Sequence, residues 1–163
     1  MLSFENRFLT QRADSPAGRA ASRASLAVLA LAPVLAWGQA HEKHQGNYVL
    51  RASTVSAEAL PESMRRQHDI PLGPGKAVLN VTVQRQLGSE TRNVPARVDV
   101  TAHNPMGVPT SVVLRQVSAN GMVSYLGVYD FLPREVLDFR IRAWPQGANS
   151  SIELSFTDRL GRQ

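Results

Sequence analysis

Apolar and polar positions alternate along much of the second half of the chain. The segment 78–84 (VLNVTVQ) places three apolar residues on one side of an extended chain and three polar residues on the other. The same period of two recurs in 94–102 (VPARVDVTA), 136–144 (VLDFRIRAW) and 151–158 (SIELSFTD). This period is typical of half-buried β-strands. The inward positions predicted for the core are Leu79, Val81, Val83, Val98, Val100, Phe139, Ile141, Leu154 and Phe156.

Asn120-Gly121 is the strongest turn signal in the sequence. Apolar-rich runs flank it on both sides, which predicts a hairpin with a two-residue type I′ turn. This turn sets the register, with Ala119 opposite Met122. Both faces of the hairpin carry apolar residues, which favours a central position in a sheet over an edge.

The segment before these strands is less regular. Residues 48–55 (YVLRASTV) are rich in β-branched and apolar residues and predict a further strand. Pro61 stands where a first helical residue is expected, which predicts a short helix over 61–68 that ends before IPLGPG (70–75). Residues 41–47 (HEKHQGN) are polar, show no period and are predicted to form a disordered tail.

These elements add up to seven strands and one short helix, with a turn every 8–14 residues. Antiparallel strands in this rhythm bury one face of each sheet against another sheet. The sequence therefore predicts an all-β fold, a two-layer antiparallel immunoglobulin-like sandwich formed as one domain by residues 48–163.

The first forty residues have the pattern of a secretory signal. Four arginines against two acidic residues precede an apolar stretch over 26–37, and the small residues of Gly38-Gln39-Ala40 follow. Such a pattern predicts a signal peptide over 1–40 that is cleaved between Ala40 and His41. The apolar stretch is shorter than the roughly 20 residues of a spanning helix, and a buried core helix is the alternative interpretation. We therefore expect an exported, soluble, periplasmic protein without a membrane span after signal removal.

The composition excludes several classes of protein. The chain has no cysteine, so disulfides, thiolate metal sites and thiol catalysis are absent. The formal net charge is only +5, and the basic residues are scattered rather than clustered in a stripe. We therefore expect no nucleic-acid partner, and no motif indicates a cofactor.

Catalytic motifs are also missing. The sequence has no G-x-S-x-G or H-E-x-x-H motif. Asp99 and His103 share a strand face, but about 13 Å separates residues four apart on a strand. The acidic residues Asp130, Glu135 and Asp138 surround a predicted turn, where charges are usually solvated. The protein is therefore predicted not to be an enzyme, and an enzyme of unknown type is a further alternative.

Tyr125 and Tyr129 form the candidate ligand or partner surface. They share a face of one hairpin strand, and Gly127 between them leaves a notch wide enough for a glycan or a peptide. The alternative is that both rings pack in or near the core while their hydroxyls reach water.

Several segments resemble a known bacterial family. They read "NYVLRASTVSAEALPESMRRQHDI", "AVLNVTVQ", "VPARVDVTAHN" and "VSYLGVYD", in that order after a signal peptide. Together they resemble the family known as domain of unknown function 4426 over about 46–158. The resemblance implies a small exported β-sandwich of Gram-negative bacteria, and it implies no catalytic residues.

The function predicted from these observations is a non-catalytic periplasmic binding or interaction domain, whose partner is an unidentified envelope protein or glycan. One alternative is a copper protein, because a chain beginning at His41 offers an α-amine and an imidazole, which suits copper. His103 is the only strand-borne histidine that would complete such a site. The favoured interpretation has no metal site, with His41 simply following the cleavage point.

Overall fold

The computed structural model describes residues 40–159, and all structural statements below concern this part of the chain. It contains ten strands, one short α-helix and one 3-10 turn at Ala57–Ala59. The helix α1 is Glu62–Gln67. The strands are β1 His41–Gln45, β2 Tyr48–Ser56, β3 Lys76–Leu87, β4 Glu90–Asn93, β5 Ala96–His103, β6 Pro109–Thr110, β7 Val113–Ala119, β8 Met122–Asp130, β9 Val136–Pro145 and β10 Ile152–Arg159.

The strands form two antiparallel sheets. The large sheet has the order β1-β2-β3-β8-β7, with β4 added beside β3, and the small sheet has the order β10-β9-β5-β6. Side chains from both sheets meet in one core, where Tyr129 and Phe139 pack edge to face with 5.5 Å between ring centroids. The predicted two-layer all-β architecture is confirmed, and it is compatible with the immunoglobulin-like type. Three strands were not predicted as such, namely β1, β4 and β6, because they are polar or only two residues long.

The predicted inward positions lie in this core. Seven of the nine are buried, and Val98 and Val100 on β5 are half-buried and pack against the same cluster. β5 pairs with β6 only through Ala102 and His103, so most of its second edge carries no neighbouring strand. This explains why its inward residues are less completely covered.

The prediction of a disordered tail over 41–47 is wrong for its first five residues, which form β1. This strand pairs with β2 from His41 opposite Ala52 to Gln45 opposite Tyr48. Gly46 has a φ of 59° in the turn between them, a conformation that glycine adopts without steric cost. This edge strand is polar and is held by backbone hydrogen bonds to β2. Its sequence therefore lacks the alternation of apolar and polar residues by which the other strands were predicted.

The hairpin at Asn120-Gly121 is confirmed. Both residues have positive φ, 51° and 75°, as a type I′ turn requires, and Ala119 lies opposite Met122. The predicted central position is wrong for β7, which lies at an edge of the large sheet. β7 has apolar residues on both faces because its inner face packs on the core and the outer face of the large sheet is also partly covered.

That cover is α1 with its flanking residues. The helix begins one residue later than predicted, with Pro61 as the N-cap, and ends at Gln67. Leu60 before it and Ile70 after it are buried against Val78 of β3, on the side of the large sheet that faces away from the small sheet. Within residues 40–159, no helix is long and apolar enough to span a membrane.

Candidate functional site

A groove crosses the outer face of the large sheet beside α1. The apolar end of the groove encloses about 180 Å³ between the helix and strands β2, β3, β7 and β8. Most of the side chains that line this end are apolar, among them Val55, Leu60, Met64, Val78, Val117 and Leu126.

The helix leaves this end open because it is short. Six residues make fewer than two helical turns, about 9 Å in length. The buried contacts of this layer are made at its flanks, by Leu60 and Ile70 against Val78, and no residue within the helix is itself buried. The neighbouring outer face of β7 and β8 therefore stays uncovered, and Val117 and Leu126 are only half-buried there.

The polar end of the groove continues the same surface toward β1 and β4. It encloses about 280 Å³ and is lined mainly by polar side chains, among them Arg51, Thr82, Gln84, Asn93 and Ser124. Ser53, Asn80, Met122 and Ser124 line both ends, so the two ends form one continuous groove.

Asn80 lines both ends, and its amide oxygen is buried and has no hydrogen-bond partner among residues 40–159. The neighbouring amide side chains of Gln84 and Asn93 do have hydrogen-bond partners. Gln84 Nε2 donates to Asn93 Oδ1 at 3.0 Å, and Asn93 Nδ2 donates to the carbonyl oxygen of Val123 at 3.1 Å. A buried unpaired acceptor is unfavourable unless a partner supplies a donor.

Arg51 is the charged side chain of the polar end. Its Nε is buried and lies 3.0 Å from Glu42 Oε2, which is the acceptor that it faces. The Glu42 carboxylate also meets His44, whose Nε2 is 3.3 Å away. His44 and Arg51 together hold the pKa of Glu42 below its ordinary value. Glu42 therefore stays ionised and balances the charge of Arg51.

The groove is suited to binding. It combines an apolar section with a few convergent polar groups, which is the usual composition of a small-molecule site. Arg51 and His68 are the only ionisable side chains among the residues that line its two ends.

The predicted surface at Tyr125 and Tyr129 is absent, because both rings lie in the core with 6% and 2% exposure. The Tyr125 hydroxyl donates to the carbonyl oxygen of Ala96 at 2.6 Å and accepts from its amide at 2.7 Å. Val112 and Leu114 fill the space over Gly127, where a Cβ atom would approach them to within 2.9 Å. The strand turns this face inward, so the notch is a packing contact.

Tyr129 lies beside a second polar cluster at one end of the core. Its hydroxyl is buried without a hydrogen-bond partner, while the Thr54 hydroxyl donates to the Asp158 carboxylate. Burial raises the pKa of Tyr129, the nearby charge of Asp158 adds to this, and the neighbouring Thr54 side chain opposes it. Burial also raises the pKa of Asp158, although the Arg159 amide and His41 oppose it. This cluster belongs to the core, and the groove lies on the other side of the large sheet.

His41 and His103 make different contacts. The His41 ring stacks on Phe156 with 4.1 Å between ring centroids. His103 is exposed at the end of β5, with its Nδ1 3.3 Å from the carbonyl oxygen of Asn104. The part of the chain that the structure describes contains no group of three or more histidine, aspartate or glutamate residues placed to hold a metal ion.

The other acidic residues considered in the sequence have separate structural contacts. Asp130 pairs with Lys76 at 2.5 Å, and Asp138 accepts from the Thr157 hydroxyl. Glu135 accepts from the amide of Leu132 at 2.7 Å. Each carboxylate thus stabilises a turn or a strand pair.

The residues at the predicted cleavage point are Ala40 and His41. Ala40 is exposed and lines the polar end of the groove. The rest of the predicted signal peptide, residues 1–39, lies outside the described residues. No sequence motif predicted the groove, and the one available signal was the apolar character of outward positions such as Val78, Val117 and Leu126.

Comparison with known proteins places the chain in a family. The family profile described as domain of unknown function (DUF4426) matches residues 42–160. The chain belongs to the DUF4426 family. The crystal structure of a DUF4426 family protein from Pseudomonas aeruginosa is similar, with a TM-score of 0.64 and 19% sequence identity over 76% of this chain and 96% of that one. At this identity the similarity shows a shared DUF4426 fold. No curated protein matches the chain.

Proposed function

We propose that this protein is an exported, non-catalytic binding domain that holds a small amphiphile in the groove of the large sheet. The amphiphile would place a short apolar chain in the apolar end and a hydrogen-bonding head in the polar end. The observation that carries this proposal is the continuity of the groove, because Ser53, Asn80, Met122 and Ser124 line both its apolar end and its polar end.

The apolar end limits the size of the ligand. Its volume of about 180 Å³ is close to that of a cavity of about 150 Å³ that binds one benzene molecule. A short alkyl chain or a single ring therefore fits. Each methylene group that leaves water for this surface contributes about 0.8 kcal/mol.

The polar end favours a head that both donates and accepts hydrogen bonds. The Arg51 side chain is charged and 35% exposed, and the amide side chains of Gln84 and Asn93 line the same end. A hydrocarbon without a polar head would cover these groups without hydrogen-bonding to them, so the ligand should be amphiphilic rather than purely apolar.

Two further observations support the class and the location. The carboxylates singled out in the sequence have structural partners instead of converging on the groove, which supports a non-catalytic role. The signal-like pattern of the first forty residues supports export to the periplasm.

The test uses octyl glucoside, an uncharged amphiphile with hydroxyl groups, below its micelle concentration. Calorimetric titration of the chain from His41 to Gln163 should show saturable binding with one site. Val117→Arg places a charge in the apolar end and should weaken binding at least about tenfold, since burying an unpaired charge is unfavourable.

The matched control is Val113→Arg on the same edge strand. Val113 is 78% exposed and does not line the groove, so this variant should bind like the wild type. An absence of saturable binding, or equal weakening by both substitutions, would contradict the proposal.

A further inference from the structure

We propose that cleavage after Ala40 completes the polar end of the groove and makes it selective for an amphiphile with an anionic head, such as an alkyl carboxylate. This inference rests on the proposed function, because it names the ligand class and the processing step of the same groove.

The first step in the argument is where the new chain end lies. Ala40 lines the polar end together with Arg51. The peptide nitrogen that joins Ala40 to His41 becomes the α-amino group once this bond is hydrolysed. The ordinary pKa of an α-amino group is about 7.7–8.0, so most of it carries a positive charge at neutral pH.

The second step is that this ammonium group is held in place. His41 pairs with Ala52 at the start of β1, and its ring stacks on Phe156 in the core. A chain end fixed on both sides loses little conformational freedom when a ligand binds. The ammonium group is therefore preorganised at the rim of the polar end.

The third step is the balance of charge. Among residues 40–159, Arg51 is the only ionisable side chain that lines the polar end, and Glu42 offsets its charge through the contact of 3.0 Å. Before cleavage this end has no net charge from these two groups. After cleavage the ammonium group of His41 adds one positive charge, which complements an anionic head.

The fourth step concerns Arg51 itself. Its Nε faces Glu42 Oε2 at 3.0 Å while the side chain remains 35% exposed, so a carboxylate in the polar end would meet the exposed part of the guanidinium group. A charge-assisted hydrogen bond of this kind is stronger than a bond between neutral groups. Arg51 and the ammonium group of His41 would thus hold the head from two sides.

The experiment compares two chains with two amphiphiles of equal tail length, octanoate and octyl glucoside. One chain begins at His41, released by a protease that leaves no extra residue. The other keeps Gly38-Gln39-Ala40 ahead of His41, which moves the charged chain end away from the groove. Calorimetric titration measures all four affinities at neutral pH.

We expect octanoate to bind the chain that begins at His41 about two- to fivefold more tightly than the extended chain, the change expected for a partly exposed ion pair. Octyl glucoside should bind both chains equally. Arg51→Gln in the shorter chain should weaken octanoate binding by a larger factor than octyl glucoside binding, because only octanoate pairs with the charge of Arg51.

Three other outcomes would overturn this inference, and one of them would also overturn the proposed function. Equal octanoate affinities for the two chains, with octyl glucoside bound, would overturn this inference and leave the proposed function standing. In a third titration of the shorter chain, tighter binding of octylammonium than of octanoate would also overturn it. If neither octyl glucoside nor octanoate binds, both this inference and the proposed function are wrong.

Discussion

The imidazole ring of His41 stacks on the phenyl ring of Phe156, with 4.1 Å between ring centroids and 11° between ring planes. Phe156 in turn stacks on Phe139, with 5.0 Å between centroids. His41 starts the edge strand of the large sheet, and Phe156 belongs to the edge strand of the small sheet. The stack therefore joins the two layers at the predicted start of the mature chain.

Replacing His41 should weaken this junction. His41→Ala removes an aromatic pair, and we expect the free energy of unfolding in urea to fall by about 0.5–1.5 kcal/mol. Lys43→Ala is the control, because Lys43 is exposed on the same strand, and should stay within about 0.5 kcal/mol of the wild type. Equal effects of the two substitutions would mean that the stack does not stabilise the fold.

Asp158 should make stability depend on pH. Burial raises the pKa of its carboxyl in the folded chain, so the folded state keeps this proton to higher pH than the unfolded state does. The free energy of unfolding therefore loses a contribution as pH rises from about 4 through the folded-state pKa.

Asp158→Asn removes this titration. The free energy of unfolding of the variant minus that of the wild type should therefore increase over the same rise in pH, as measured by urea unfolding at several pH values. A difference that stays constant, or that decreases as pH rises, would contradict the raised pKa.

The two core tyrosines should respond differently to loss of the hydroxyl. Tyr125→Phe leaves the amide and carbonyl of Ala96 without their partner, and we expect a loss of about 1–3 kcal/mol in unfolding free energy. Tyr129→Phe removes a buried hydroxyl that has no hydrogen-bond partner, so stability should stay within about 0.5 kcal/mol or increase. A larger loss of stability in Tyr129→Phe than in Tyr125→Phe, measured by thermal or urea unfolding, would contradict the hydrogen bonding described for the two hydroxyls.

A substitution at Gly127 tests whether Val112 and Leu114 fill the space where a notch was predicted. In Gly127→Ala the new Cβ would lie 2.8 Å from Val112 Cγ1 and 2.9 Å from Leu114 Cδ2, so we expect a loss of about 1–3 kcal/mol. Gly73→Ala is the matched control, since its Cβ would meet only Lys76 Cγ at an ordinary 3.6 Å. Near-neutral melting temperatures for both variants would show that the space over Gly127 is open.

The long strands could be predicted from sequence because one face of each is buried. Alternation placed Leu79, Ile141 and Phe156 correctly inside, and the glycine in Asn120-Gly121 identified the hairpin turn. Polar edge strands such as β1 are held by backbone bonds, which leave no hydrophobic period. Their pairing depends on partners that are close in space and that the pattern does not show.

The site could not be predicted because the hairpin is apolar on both faces. Such a pattern does not show which face of β8 turns inward, and Tyr125 and Tyr129 were therefore interpreted as a surface although they lie in the core. The outward residues Val117 and Leu126 line the groove only because α1 folds back over β3. The position of α1 over β3 depends on tertiary contacts, so the groove cannot be predicted from any single segment of the sequence.

The most direct measurement of the central claim is amide NMR of the chain that begins at His41, titrated with octyl glucoside below its micelle concentration. Binding in the groove predicts saturable shifts that cluster at its lining residues, including Leu60, Met64, Asn80, Val117 and Leu126, while the outward residues of β5, β9 and β10 stay unchanged. Shifts confined to the small sheet, or no saturable shift anywhere, would contradict the assignment of the groove as the binding site.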